Sequence, residues 1–354
     1  MNSLQQTILV INPGSTSTKI ALSIYGKITE SETIAHAATD LKQFTGIWGQ
    51  FEYRLNLCRA WAEARIKQCS AVVAMGGLLR PLKGGTYQVN QSMLRDARAN
   101  LQGEHASNLG CALAFEISIR YNCSAFVVDP VSVDEFEPIA FYSGHPKIKR
   151  KSLSHALNIH AAARRAADEI KHTLEKSSFI ICHLGGGISI APVRNGRIID
   201  VNDAASDGPF SPERTGGLPL QAFISICFSG GYKEDDLRKF VMGKGGLVAY
   251  LGTNSVKDVE ERVTNGDQTA REVFEAMAYQ IAKEIGAMST VLSGKVDAIV
   301  ITGGIAHSKM LVGWIKERVQ SIAPILVYPG EDEMLSLAQG ARRVLNGEEQ
   351  QKEY

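Results

Sequence analysis

No charge excess, no long apolar run and no paired-cysteine motif mark this 354-residue chain, and each lack removes a class of protein. The net charge is +1, from 38 Lys and Arg against 37 Asp and Glu, so neither nucleic acid nor a membrane is expected as a partner. Any phosphate must then be held by local geometry. No apolar stretch reaches the ~18–20 residues that a membrane span needs. The first residues enter a strand pattern without the charged and apolar regions of a signal peptide. The six cysteines (Cys58, Cys69, Cys111, Cys123, Cys182, Cys227) form no C-x-x-C pair and read as reduced, buried thiols, which makes the cytoplasm the expected location. A zinc pattern is missing as well: His155 and His160 stand five apart, without H-E-x-x-H.

What is present begins at Leu9–Leu22, LVINPGSTSTKIAL. A lysine behind a glycine and several hydroxyls looks like a P-loop, but Gly14 to Lys19 has no second glycine. The residues that follow alternate in the manner of a strand, not a helix. Asn12–Ser17 is therefore expected to join two antiparallel strands as a turn of backbone N–H groups and hydroxyls. The pattern recurs. Phe179–Leu184 is a strand, Gly185-Gly186-Gly187 a turn, Ile188–Ala191 a second strand, and Asn195-Gly196 a second turn matching Tyr25-Gly26. Gly14 to Gly26 is 12 residues and Gly185 to Gly196 is 11. A repeat half the chain long implies duplicated domains.

Each half also has a strand ending in a glycine pair: Ala71–Met75 before Gly76-Gly77, and Ala298–Thr302 before Gly303-Gly304. Ser154 is expected to cap a helix reaching Leu174. Asp267 is expected to cap a longer one reaching Leu292, whose stripe Val273, Met277, Ile281, Ile285 and Met288 reads as core, with a dimer interface as the alternative. Ser143–Lys151 reads as a polar, basic connector near the domain junction, and Asn346–Tyr354 as a frayed tail. The boundaries expected are 1–150 for an N-terminal domain, with the helix 335–354 possibly joining it, and 151–334 for a C-terminal one.

Two α/β domains, each opening with a glycine-turned hairpin around a cleft, resemble the duplicated ribonuclease H-like fold of actin, sugar kinases and the Hsp70 ATPase. Longer motifs narrow this. NPGSTSTK (Asn12–Lys19), GGLLRPLKGGTY (Gly76–Tyr87), ICHLGGGISIA (Ile181–Ala191), DGPFSPERTGGLP (Asp207–Pro219) and ITGGIAHS (Ile301–Ser308) together resemble the butyrate kinase branch of the acetokinase family. The resemblance runs from Val10 to about Arg342. It implies ATP and a short-chain carboxylate (butyrate or isobutyrate) as substrates, ADP and an acyl phosphate as products, Mg²⁺ as cofactor, and a homodimer or higher homo-oligomer.

The resemblance also implies roles. Asn12, Gly14, Ser15, Ser17 and Lys19 match the phosphate hairpin, with Gly185, Gly186 and Gly187 in the second copy and Gly303 and Gly304 near the adenosine. Asp129 matches an aspartate that orients magnesium-bound water, and Glu333 a second metal carboxylate, although Glu331 and Asp332 leave the register open. Arg214 matches the arginine that neutralises charge in the transition state, and His155 and His183 two histidines of the cleft. Gly76 and Gly77 open the substrate loop. One departure stands out: the branch pattern has an arginine where this chain has Met75. Methionine supplies neither charge nor a bidentate fork, so Arg80, from the same loop, is the candidate for gripping the acid. Two other readings remain: a sugar or other small-molecule kinase of the same fold, in which Asp129 would be a base, and a low-activity nucleotide-binding switch, given Met75.

Overall fold

The computed structural model describes residues 6–354. The chain divides into two compact units, one running to Asp134 and resuming at Asp332–Tyr354, the other spanning Glu135–Glu331.

In the first unit, β1 (Thr7–Pro13), β2 (Ser17–Ile24), β3 (Lys27–Ala35), β4 (Ala71–Met75), β5 (Thr86–Gln88) and β6 (Ser124–Val128) form one sheet, in the order β3-β2-β1-β4-β6-β5. β1 runs parallel to β4, and β4 to β6, so Asn12, Gly76 and Asp129 leave the sheet at the same end. Alternation builds the two faces. Leu9, Ile11, Val72 and Ala74 enter a core with Leu55, Met93 and Leu113 from three helices. The helix Glu333–Leu345 packs on β1, β4 and β6, where Gly340 lets it approach Val128.

In the second unit, β7 (Tyr142–His145) and β8 (Ile148–Lys149) form a small hairpin of exposed residues. A second sheet holds β9 (Ser178–Leu184), β10 (Ile188–Arg194), β11 (Arg197–Ile198), β12 (Ala298–Gly303) and β13 (Ile325–Pro329), in the order β11-β10-β9-β12-β13. β9, β12 and β13 are parallel, so Leu184, Gly303 and Pro329 share one sheet end. The helix Gln268–Val291 begins at Asp267, whose carboxylate accepts the Ala270 N–H at 2.9 Å. Its Met277, Ile281, Ile285 and Met288 are buried in the core with Ile180, Cys182 and Ile301. The stripe is core packing.

Four local expectations change. The first unit ends at Asp134, not near residue 150, because Glu137 donates to Ile199 (3.0 Å) and Arg150 pairs with Asp200 (2.8 Å), tying this stretch to the second sheet. The segment Ser143–Lys151 is largely that small hairpin, not an irregular connector. The helix after Ser154 is Ala156–Glu169; no side chain caps it, and the Ser154 hydroxyl is buried without a hydrogen-bond partner. The stretch Asn346–Tyr354 is not frayed: Lys352 pairs with the backbone of β5. All six cysteines are free; Cys58, Cys111 and Cys182 are buried and the others half-buried. Among the described residues no helix is long and apolar enough to cross a membrane.

Candidate active site

The turn Gly14–Ser17 closes on itself, with the Gly14 N–H donating to the Ser17 carbonyl at 2.8 Å. Ser15 and Thr16 at its tip are exposed. Asn12 faces Lys19 across the β1–β2 ladder, so the two side chains share one side. Beneath the turn lies Arg54, 0 % exposed, a residue the sequence reading missed. Its guanidinium donates to the carbonyls of Gly14 (2.8 Å), Ser17 (3.1 Å) and Ser15 (3.2 Å), to Thr18 Oγ1 (3.1 Å) and to Gln50. Because Arg54 draws the carbonyls inward, the hydroxyls at the tip stay free for a ligand. The signal was present: Arg54 falls among Phe51, Leu55 and Cys58 on the apolar face of its helix. Thr18 Oγ1, which accepts from Arg54, lies 2.9 Å from His36 Nε2. Burial, with Arg54 beside it, lowers the His36 pKa to about 4.

The acidic run after Pro329 resolves into three different tasks. Glu331 lies 3.5 Å from His183. Asp332 caps the helix Glu333–Leu345 by accepting the Leu335 N–H at 3.0 Å. Glu333 accepts from Asn12 Nδ2 at 2.7 Å, which brings a carboxylate to the hairpin Asn12–Lys19. Asp129, 1 % exposed, has φ of 39° in the left-handed region and accepts the Gly85 N–H at 2.6 Å. A non-glycine residue held there is strained, and such strain is found at functional positions.

Gly76 and Gly77 have a packing reason for their identity. A Cβ on the first would stand 2.4 Å from Val127, and on the second 2.2 Å from the Asn108 side chain. Met75 is buried. Arg80 is not an unengaged cation: 54 % exposed, it pairs with Asp96 and lies 4.6 Å over the ring of Tyr354. That arrangement gives no support to Arg80 as the grip on a carboxylate.

In the second unit the structure gathers His155, His183, Arg214 and the turn Gly185–Gly187. The two imidazoles stack with centroids 4.1 Å apart, and His155 Nδ1 lies 3.0 Å from Ser189 Oγ. Arg214 lies against the turn so closely that a Cβ on Gly187 would be 2.4 Å from its Nη1. It donates to the Ala204 carbonyl at 3.0 Å and makes no salt bridge among the described residues. Ser211 donates to the Gly186 carbonyl at 2.5 Å, bracing the same turn from behind. Gly303 exchanges backbone hydrogen bonds with Gly330 at 3.1 and 3.0 Å, and the Gly304 that follows faces open space.

Burial takes His183 down to about 4. It also holds His155 well below 6.5, with His183 and Arg214 adding to the effect. Both rings are neutral at pH 7 and can donate without charge. Between about 4 and 6.5 the unfolded chain binds a proton at His183 that the folded chain does not. This part of the stability is complete above about 6.5 and is lost as pH falls toward about 4. The loss is on the order of 3 kcal/mol for His183. Thermal melts from pH 7.5 to 5 should show a falling Tm, with a shallower slope in His183→Gln. Parallel slopes would assign the titration to another group.

The carboxylates of Asp129 and Glu333 are the candidate metal ligands of the first unit. Among the described residues no three His, Cys, Asp or Glu side chains form a metal cage. Magnesium needs none, since it keeps several waters and is held by one or two carboxylates together with substrate phosphates.

Two sheets, each opening with a hairpin turned at its glycines and ending its parallel strands on the same side as that turn, define the duplicated α/β class that includes actin and the sugar kinases. The sequence profile of the acetokinase family matches residues 145–345. Butyrate kinase 2 of Clostridium acetobutylicum is 49% identical over 351 residues, 98% of this chain and 99% of that one. Among solved structures, an acetate kinase from Porphyromonas gingivalis superposes with a TM-score of 0.78 at 17% identity, covering 96% of this chain and 100% of that one. A propionate kinase from Francisella tularensis gives 0.74 at 18% identity, covering 95% and 98%. The chain belongs to the acetokinase family.

Proposed function

We propose that this protein is a short-chain acyl kinase that phosphorylates butyrate, or its branched isomer, from ATP. The observation that carries the reading is Arg214: a half-buried guanidinium on the glycine turn beside two neutral imidazoles, hydrogen-bonded to a carbonyl and salt-bridged to none of the described carboxylates. Such a fork suits phosphoryl oxygens.

A short-chain acid is ionised at neutral pH, since carboxyl pKa values lie near ~4. It is already a nucleophile and needs no general base. One carboxylate oxygen forms a bond to the γ-phosphorus while the bond from phosphorus to the β,γ-bridging oxygen breaks, and ADP leaves with that electron pair. Catalysis is then positioning and charge neutralisation. In this reading Ser15, Ser17, Lys19 and the turn amides hold ATP phosphates, and Arg214 and the imidazole N–H groups meet the transferring oxygens. Gly304 leaves room beside the adenosine, and Gly303 lets the strand end lie close against Leu184. Asp129 and Glu333 hold magnesium, which when bound neutralises phosphate charge.

The six free thiols support a reducing compartment, the cytoplasm. Self-association is supported by the helix Leu220–Cys227: none of its residues is buried, and Leu220 and the adjacent Phe228 are exposed.

The test is trapping of acyl phosphate by hydroxylamine across acetate, propionate, butyrate, isobutyrate and valerate, with glucose as a control acceptor. Product should peak at the four-carbon acids. Neighbouring lengths should differ only several-fold, because one methylene is worth about 0.8 kcal/mol. Phosphorylation of glucose alone, or no product from any acid, would overturn the reading.

A further inference from the structure

We propose that residues 349–354 form a strap that positions the loop Gly76–Gly85. β5 lies at the edge of the first sheet, where unpaired backbone groups would face outward. The strap covers that edge. Lys352 N–H donates to the Thr86 carbonyl at 2.8 Å, and Gln88 N–H to the Lys352 carbonyl at 3.1 Å. Glu349 accepts the Thr86 N–H at 2.9 Å and is itself held by Arg343 at 2.8 Å.

Two further contacts reach past the strand into the loop. The Lys352 ammonium donates to the Gly84 carbonyl and lies over Gly85, where a Cβ would stand 2.8 Å from its Cε. Gly85 in turn donates to Asp129 Oδ1 at 2.6 Å and accepts from the Asp129 N–H at 3.1 Å. At the other end of the loop, Tyr354 Oη accepts the Arg80 N–H at 3.1 Å and donates to Asp96 at 2.9 Å, with its ring beneath the Arg80 guanidinium. Asn90 Nδ2 holds the Tyr354 carbonyl at 3.3 Å. The loop is thus fixed at both ends by side chains some 270 residues away in the sequence. Lys352 and Tyr354 are positioning residues, acting through Gly85 and Arg80. The kinetic half of this inference rests on the acyl-kinase reading, in which the loop serves the acid; the structural half does not.

The experiment uses the full chain, a form lacking residues 352–354, Tyr354→Ala and Tyr354→Phe. Hydrogen exchange reads the loop without reference to activity. Loss of residues 352–354 should speed exchange at the Arg80 and Gln88 amides at least tenfold, while the Val89 amide, bonded to Ala125, keeps its protection. The KM for butyrate should rise about tenfold with the KM for ATP within twofold. Tyr354→Phe, which keeps the ring under Arg80 but removes the acceptor of the Arg80 N–H, should recover part of the KM that Tyr354→Ala loses and none of the Arg80 amide protection. Unchanged exchange overturns the strap. Faster exchange with an unchanged KM for the acid overturns its positioning role. A full-length protein inert toward every acid counts against the acyl-kinase reading, and the exchange result still decides whether the strap holds the loop.

Discussion

Replacing Arg214 with alanine is expected to lower kcat by about 10³-fold, the scale at which an arginine meeting a transferring phosphoryl group acts. The physical case rests on how the side chain is held. Burial lowers its pKa, so it has lost part of its water and gains much from an arriving anion. A guanidinium has no accessible deprotonated state, so it stays charged while it waits. Its position is enforced from below, because the turn at Gly187 has no room for a side chain. Gly187→Ala should therefore displace the same fork and reproduce much of the loss without touching Arg214. Arg214→Lys keeps the charge but not the planar pair of donors, and should recover only part of the rate. Loss of Arg214 should also let the His155 pKa rise, since Arg214 is one of the groups lowering it. A kcat within tenfold of the wild type in Arg214→Ala, with ATP and butyrate saturating, would remove Arg214 from the chemistry.

The features that sequence made readable are those in which neighbours along the chain do the folding. Both hairpins turn where expected because Tyr25-Gly26 (φ 52° and 77°) and Asn195-Gly196 (φ 55° and 77°) adopt the same left-handed pair. Asp267 caps its helix for an equally local reason. The helix after Ser154 stops at Glu169 because Lys171 turns to φ 59°, a change that no glycine or proline announced. Long-range partners were out of reach. Nothing near Glu333 marks it, rather than Glu331 or Asp332, as the residue that meets Asn12 321 positions earlier. The polar stretch ending in Tyr354 carries no periodicity, so its role as an edge strand depends entirely on where β5 lies. Arg80 looked available because its two partners, Asp96 and Tyr354, lie 16 and 274 residues away.

Arg54 is the clearest case of chemistry hidden by distance, and its replacement should have the largest effect on stability. Arg54→Leu preserves the helix and most of the side-chain volume but removes the guanidinium donors to the turn Gly14–Ser17. The carbonyls of Gly14, Ser15 and Ser17 and the buried Thr18 hydroxyl would each lose a donor bond. Losing the guanidinium from these half-buried acceptors, of which the Ser17 carbonyl keeps the Gly14 N–H, costs about 3 kcal/mol. The functional consequence follows from the same bonds. With its carbonyls no longer drawn inward, the turn can rotate, and its amides and hydroxyls lose the orientation that a phosphate requires. The cation that lay behind the turn is gone as well. The KM for ATP should therefore rise at least tenfold while the KM for the acid moves little, the reverse of the pattern expected when the strap is cut. Arg54→Lys separates the two contributions: an ammonium restores positive charge but cannot span three carbonyls and a hydroxyl at once, so it should recover part of the ATP affinity and little of the Tm. Urea unfolding of the three proteins, together with their KM values for both substrates, is the measurement. An Arg54→Leu protein with an unaltered unfolding midpoint and an unaltered KM for ATP would show that the turn holds its shape unaided.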